Sequence, residues 1–200
     1  MSTKSQSSKS TENEIPTLLF PEQKDWADWL RQNHAKSSGV WLKLAKKASG
    51  RQSVSYAEAL EVALCYGWID GQKQSDNESF WLQKFTPRGA KSIWSKINKA
   101  KAGELIKSGR MKPAGLNAVE RAKQDGRWEA AYDSPRGSTV PADFQARLNK
   151  NAKAKAFFAT LNSANRYAIL FRIQTAKKAE TRARKIEQFI EMLERKEKLH

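Results

Sequence analysis

The sequence is poor in the residues from which small chemical sites are built: among 200 residues it has one cysteine, Cys65, and two histidines, His34 and His200. A lone cysteine closes no internal disulfide, and no Cys/His cluster with metal-ligand spacing surrounds either histidine, so a disulfide scaffold and a zinc module are excluded. No metal and no cofactor are expected. No apolar run approaches the ~20 residues that a spanning helix needs. The first fourteen residues, MSTKSQSSKSTENE, lack the apolar stretch of a signal peptide, so a cytoplasmic chain without a membrane span is expected. Acids are also scarce: 21 Asp and Glu face 37 Lys and Arg, a net charge of +16. Aromatics, by contrast, are abundant. Seven Trp, eight Phe and a hydrophobic content of 39% supply more apolar area than a disordered chain carries. The length suits one domain, or a domain with an appended helical piece.

Residues 1–14 are polar, charge-balanced and without an apolar anchor, the composition of a solvated tail. The proline-bounded run IPTLLFP at 15–21 predicts an edge strand, where a missing ladder donor is tolerated. Trp26, Trp29 and Leu30 recur at helical spacing, with Asp25 near the positive helix start and Gly39 expected to end the helix. Val40, Trp41 and their neighbours have strand composition. Ser53 and Ser55 are candidate caps for a helix over 56–66, with Glu58 completing a capping box on Ser55 and Gly67 stopping it. Residues 68–74 and 79–86 then predict a hairpin across the turn at Ser75, Asp76, Asn77 and Glu78. From Trp94 onward the pattern is helical: 95–107, 113–124, 141–149, 152–161, 163–174 and a last helix with Ile186, Phe189, Ile190 and Leu193 inward. Between Lys177 and Ile186 the pattern leaves open a break, with Thr181 as a possible cap, or one continuous helix. The expected fold is α+β: a small, mostly antiparallel sheet with surrounding helices, followed by an all-helical C-terminal subdomain. The expected division is a tail over 1–14, a core domain over 15–136 and a basic helical subdomain over 137–200.

Charge is uneven along the chain. Residues 135–200 hold fifteen bases and six acids, and from Arg147 to Lys185 eleven bases face the single acid Glu180. A basic helical face attracts polyanions because phosphate neutralisation releases condensed counterions, which makes nucleic acid a natural partner class for Lys153, Lys155, Lys177, Lys178 and Arg182. No sequence-reading motif accompanies them, so a solvated basic face is the other reading.

The densest run of unusual residues is Gly67 to Gly71, followed by Phe85 to Gly89 and then Ser92 to Ser95. If the hairpin pairs, Asp70 and Arg88 lie at one end of it. Arg88 then offers a fork for a carboxylate or phosphate, Asp70 a general base or acceptor, and Trp68 and Trp94 stacking walls for an anionic small molecule. The alternative is a structural Asp70 to Arg88 ion pair with the tryptophans in the core. Ser92 and Ser95 have no histidine near them in sequence, Cys65 falls on the apolar side of a helix, and the Gly109 to Gly115 run lacks the phosphate-loop pattern. DGRW at 125–128 predicts a glycine-ended helix with Trp128 folding back on it. The order of GWIDG, FTPR, SIWSKIN, SGRMKPAG and DGRW, with AKKAETRARKI near the end, resembles the YdeI/OmpD-associated family, also labelled bacteriocin-protection proteins, over nearly all of the chain after the tail. The resemblance implies a binding or stress-protection role and brings no agreed activity or active site with it.

Overall fold

Four strands and eight helices make up the regular structure of residues 15–200, the part of the chain that the computed structural model describes. The expected tail, residues 1–14, lies outside the described residues. The fold is α+β, and the chain divides into two compact units. The first runs to Ser92 and resumes over Ala102–Arg121; the second comprises Ile93–Lys101 and Ala122–His200.

The first unit is built on a sheet of order β1-β2-β4-β3. β1 (Thr17–Leu18) runs parallel to β2 (Val40–Ala45), and β2, β4 (Phe80–Pro87) and β3 (Trp68–Ser75) are antiparallel. In β2, Val40, Leu42 and Leu44 are buried and alternate with half-exposed residues, the pattern of a strand with one covered face. That face is covered by α1 (Gln23–Asn33) and α2 (Tyr56–Cys65). Trp26 of α1 is fully buried, its ring centroid 5.8 Å from that of Phe85 and 6.4 Å from that of Trp68, and its indole N–H donates to the Ala59 carbonyl at 3.0 Å. The expected capping box on Ser55 is present, the Ser55 side chain accepting from the Glu58 N–H while the Glu58 carboxylate accepts from the Ser55 N–H.

Two local expectations are corrected. Ser53 caps nothing: its hydroxyl accepts from the Ala45 N–H at 2.8 Å, tying the end of β2 to the following loop. Gly39 does not end α1, which closes at His34, whose N–H donates to the Leu30 carbonyl at 2.9 Å. Glycine at 39 instead lets β4 approach closely. A Cβ there would lie 3.0 Å from Thr86 Cγ2 and 3.1 Å from the Phe85 carbonyl, so β4 would have to give by a few tenths of an ångström to admit a side chain. The register of β3 on β4 shifts between Asp70 and Lys73, and the amide of buried Gln83 fills the irregularity by donating to the Gly71 and Gln72 carbonyls at 3.0 and 3.2 Å. Those acceptors lose their ladder partners at such a shift and would otherwise be left unsatisfied.

The second unit is helical. α5 (Ala142–Asn149), α6 (Ala152–Thr160), α7 (Ser163–Gln174) and α8 (Ala179–Glu194) enclose a core that includes Phe144, Leu148, Phe158, Ile169, Ile173 and Leu193. Asn151 and Asn162 cap α6 and α7 by accepting from the Ala154 and Asn165 N–H groups. The open question at 177–186 resolves as a break: α7 stops at Gln174 and α8 starts at Ala179 after Lys178, with no side-chain cap, so Thr181 sits inside the first turn. Helices α3 (Lys96–Lys107) and α4 (Pro113–Gln124) contribute residues to both units.

Candidate functional site

The hairpin forms, and its register sets Trp68 opposite Pro87 and Asp70 opposite Phe85, so Asp70 and Arg88 do lie toward the same end of it. Gly67, at a φ of 72°, turns the chain out of α2 into β3, and its carbonyl accepts from the Arg88 N–H at 2.9 Å. The side chains then diverge in role. Asp70 accepts from the Tyr56 hydroxyl at 2.8 Å, and among the described residues no ion pair joins it to Arg88. Arg88 is buried, 8% exposed. Trp68 is a core residue, its ring edge-on to Trp29 at 5.9 Å and its indole N–H donating to the His34 carbonyl at 3.1 Å. Trp94 belongs to the second unit, where it is buried and meets Trp128 edge-on at 4.9 Å.

The other nucleophile candidates have structural positions. Burial pushes the Cys65 thiol pKa up, although Arg110 and Lys112 pull the other way, so the thiolate is disfavoured. Ser95 accepts from the Asn98 N–H at the start of α3. Among the described residues no group of three His, Cys, Asp or Glu could hold a metal ion, and no helix is long and apolar enough to cross a membrane.

The basic run of the second unit separates into two groups. Arg147 pairs with Glu187. Arg182 grips Asp143 with two donors, at 2.7 and 2.9 Å, and a third reaches the Ile173 carbonyl at 2.8 Å. Arg166 and Arg172 donate to the Ala159 and Ala168 carbonyls. These four arginines hold helices to one another or to their own turns. Lys153, Lys155, Lys177, Lys178 and Arg184 are exposed, and no acid among the described residues forms an ion pair with them. Arg182, expected with the phosphate-facing lysines, is thus occupied in bracing α8 against α5.

The Arg182 donors hold the Asp143 carboxyl below its ordinary pKa against an opposing effect of burial, and Lys96, 2.6 Å away, with Gln174 does the same for Asp133. A carboxyl whose folded pKa is depressed favours folding above its unfolded value, about 3.9, and that contribution is lost as pH falls through the folded value. Acidification below about pH 4 is therefore expected to destabilise the second unit with a slope that Asp143→Asn reduces. Denaturant midpoints of the two proteins between about pH 5 and pH 2 measure it; an unchanged slope in the variant would contradict the assignment.

Two hollows escaped the sequence reading. One, of about 320 Å³ in the second unit, is lined by Arg127 and Lys177 among others. Arg127 is clasped by Asp125 at 2.7 Å, and Gly126, at a φ of 76°, makes the turn expected of DGRW. The other, of about 570 Å³ in the first unit, lies over Trp81 and is lined by Lys46, Lys47, Lys73, Gln74 and Ser75. Lys46 and Lys47 lie in the turn after β2. Their convergence with Trp81 depends on strand pairing, which adjacency along the chain does not reveal.

Compared with known families, residues 18–118 match a domain of unknown function, DUF8412, and residues 138–196 match the family described as bacteriocin-protection, YdeI or OmpD-associated. The second match takes in the AKKAETRARKI segment, whereas GWIDG, FTPR, SIWSKIN and SGRMKPAG fall within the first. The resemblance expected over nearly the whole chain is thus divided between two families. Comparisons with curated proteins and with solved structures return no match.

Proposed function

Because the chain belongs to the DUF8412 family through residues 18–118 and to the bacteriocin-protection, YdeI or OmpD-associated family through residues 138–196, we propose that it is a cytoplasmic protection protein that acts by binding nucleic acid through its basic helical subdomain, residues 137–200. The observation that carries this reading is the division of labour among its cations: Arg147, Arg166, Arg172 and Arg182 brace the helices, while Lys153 and Lys155 on α6 and Lys177 and Lys178 before α8 stand exposed with no ion pair, Lys177 feeling only the longer-range attraction of Asp125. Lysines left in solvent gain by displacing counterions from phosphate, which is a sequence-independent attraction. A cytoplasmic setting also suits a chain whose one thiol is buried and has no partner with which to form an internal disulfide.

Affinity for a duplex or a single strand is expected to fall steeply with salt, log K decreasing by roughly 0.7–0.9 per phosphate contacted for each tenfold rise in salt. Charge reversal at Lys153, Lys155, Lys177 and Lys178 should flatten that dependence by up to about three units of slope. Fluorescence anisotropy across a salt series measures both. Binding that the four changes leave intact, or no binding at low salt, would refute the reading.

A further inference from the structure

We propose that the hollow over Trp81 is a stacking site for a base of single-stranded nucleic acid, with Lys46, Lys47 and Lys73 as its phosphate contacts. This rests on the reading that the chain binds nucleic acid, but it involves the other unit and a different kind of contact. Trp81 sits in β4 opposite Leu44 of β2 and Ser75 of β3, so its ring is on the face that α1 and α2 cover. That cover ends here. The first residue of α2, Tyr56, reaches the ring at 6.2 Å between centroids, and Trp81 remains half-exposed beyond it. A large indole thus stays open to solvent at the margin of a core that buries Trp26, Trp68 and Phe85 completely or nearly so.

The surroundings select the ligand. Lys73 Nζ lies 4.5 Å from the Trp81 ring centroid, a cation–π contact that an incoming base would displace, freeing the ammonium for the phosphate beside that base. Lys46 and Lys47 enter from the turn after β2, with Lys46 Nζ donating to the Asn77 carbonyl at 2.7 Å. Two of the three acids on this hairpin are engaged elsewhere, Asp76 pairing with Lys43 at 3.2 Å and Asp70 accepting from Tyr56, while Glu78 at the turn is exposed to solvent. Among the described residues no acid pairs with Lys46, Lys47 or Lys73. The hollow is therefore a positive groove with one aromatic wall. Every base has a π-face that an indole can stack on, and a backbone running past supplies the phosphates, the combination by which single strands are held without sequence preference. A duplex keeps its bases stacked on one another and offers the indole none.

The test uses the full chain and three labelled or competing probes: a twelve-residue oligothymidylate, a duplex of the same length, and thymidine monophosphate. Trp81→Ala is expected to weaken oligothymidylate binding by about fivefold to a hundredfold and to leave duplex binding unchanged. Replacing Lys46, Lys47 and Lys73 by Gln should lower the salt slope for the single strand by roughly 0.7 for each phosphate that is no longer neutralised. Those three lysines are exposed, so this variant carries the test if Trp81→Ala fails to fold. Wild-type affinity for oligothymidylate in both variants would overturn the proposal, as would thymidine monophosphate competing as well as the oligonucleotide. The two readings separate cleanly. Charge reversal on the helices should weaken duplex and single strand together, whereas Trp81→Ala affects the single strand alone. If the helical variant binds normally and Trp81→Ala does not, the helical surface is refuted and the groove stands.

Discussion

Trp26→Ala is expected to destabilise the first unit by about 3–5 kcal/mol, the range for truncating a large buried aromatic. Trp26 is fully buried, and its ring also meets Trp29 at 5.4 Å and Phe20 at 5.5 Å. Removing it leaves a void that four rings must collapse around, and strands the Ala59 carbonyl that its N–H served. At about 2–4 °C per kcal/mol for a chain of this length, the unfolding transition that reports on the first unit should fall by roughly 6–20 °C. Trp29→Ala should cost less, because Trp29 is only half-buried. Thermal unfolding followed by tryptophan fluorescence measures both, and a loss below about 1 kcal/mol for Trp26→Ala would show that the aromatic cluster does not carry the unit.

Gly115→Ala, a single added methyl, is expected to cost as much as many core truncations. Gly115 lies in the first turn of α4, where a Cβ would collide with Met111 Sδ and the Cys65 carbonyl and come within 2.8 Å of the Leu64 carbonyl. Methionine can rotate away, but the two carbonyls belong to the last turn of α2 and cannot. The substitution must therefore push α4 off α2, at about 3 kcal/mol, the upper part of the usual overpacking range. Gly103→Ala in α3 is the control. Nothing stands within 4 Å of a Cβ there and its φ is ordinary, so alanine should stabilise by up to about 1 kcal/mol. Equal effects at the two glycines, measured by urea unfolding, would show that close approach is not what requires glycine at 115.

Much of this architecture is legible because its causes are local. The bounds of α4 and α7 follow from Pro113 at a first helical position and from the apolar spacing after Asn162, and the Ser55 capping box needs only residues three apart. The hairpin follows from strand composition on either side of a polar turn. What was hidden depends on residues distant in sequence. Gly39 answers to β4, not to the helix before it, and Ser53 answers to Ala45. The same holds for the site. Asp70 meets Tyr56, fourteen positions away, and Arg182 meets Asp143, thirty-nine away, so neither engagement shows in a motif. Trp68 attracts attention by its glycine-flanked setting yet is a core residue, while Trp81, set in an ordinary strand pattern, keeps an open ring.

The irregularity in β3 also settles how far the sheet can extend. An outermost strand presents unpaired N–H and C=O groups that invite another chain to add on, a route to fibrils and to swapped assemblies. β3 is such a strand, and its register shift between Asp70 and Lys73 interrupts the spacing an incoming strand would have to match. The exposed lysine at 73 adds charge to that edge. At the opposite edge β1 is two residues long and lies between Pro16 and Pro21, too short to template a neighbour. Four strands are therefore the natural limit of this sheet, and a variant that regularised β3 by removing one residue from the shift would be the one to watch for aggregation.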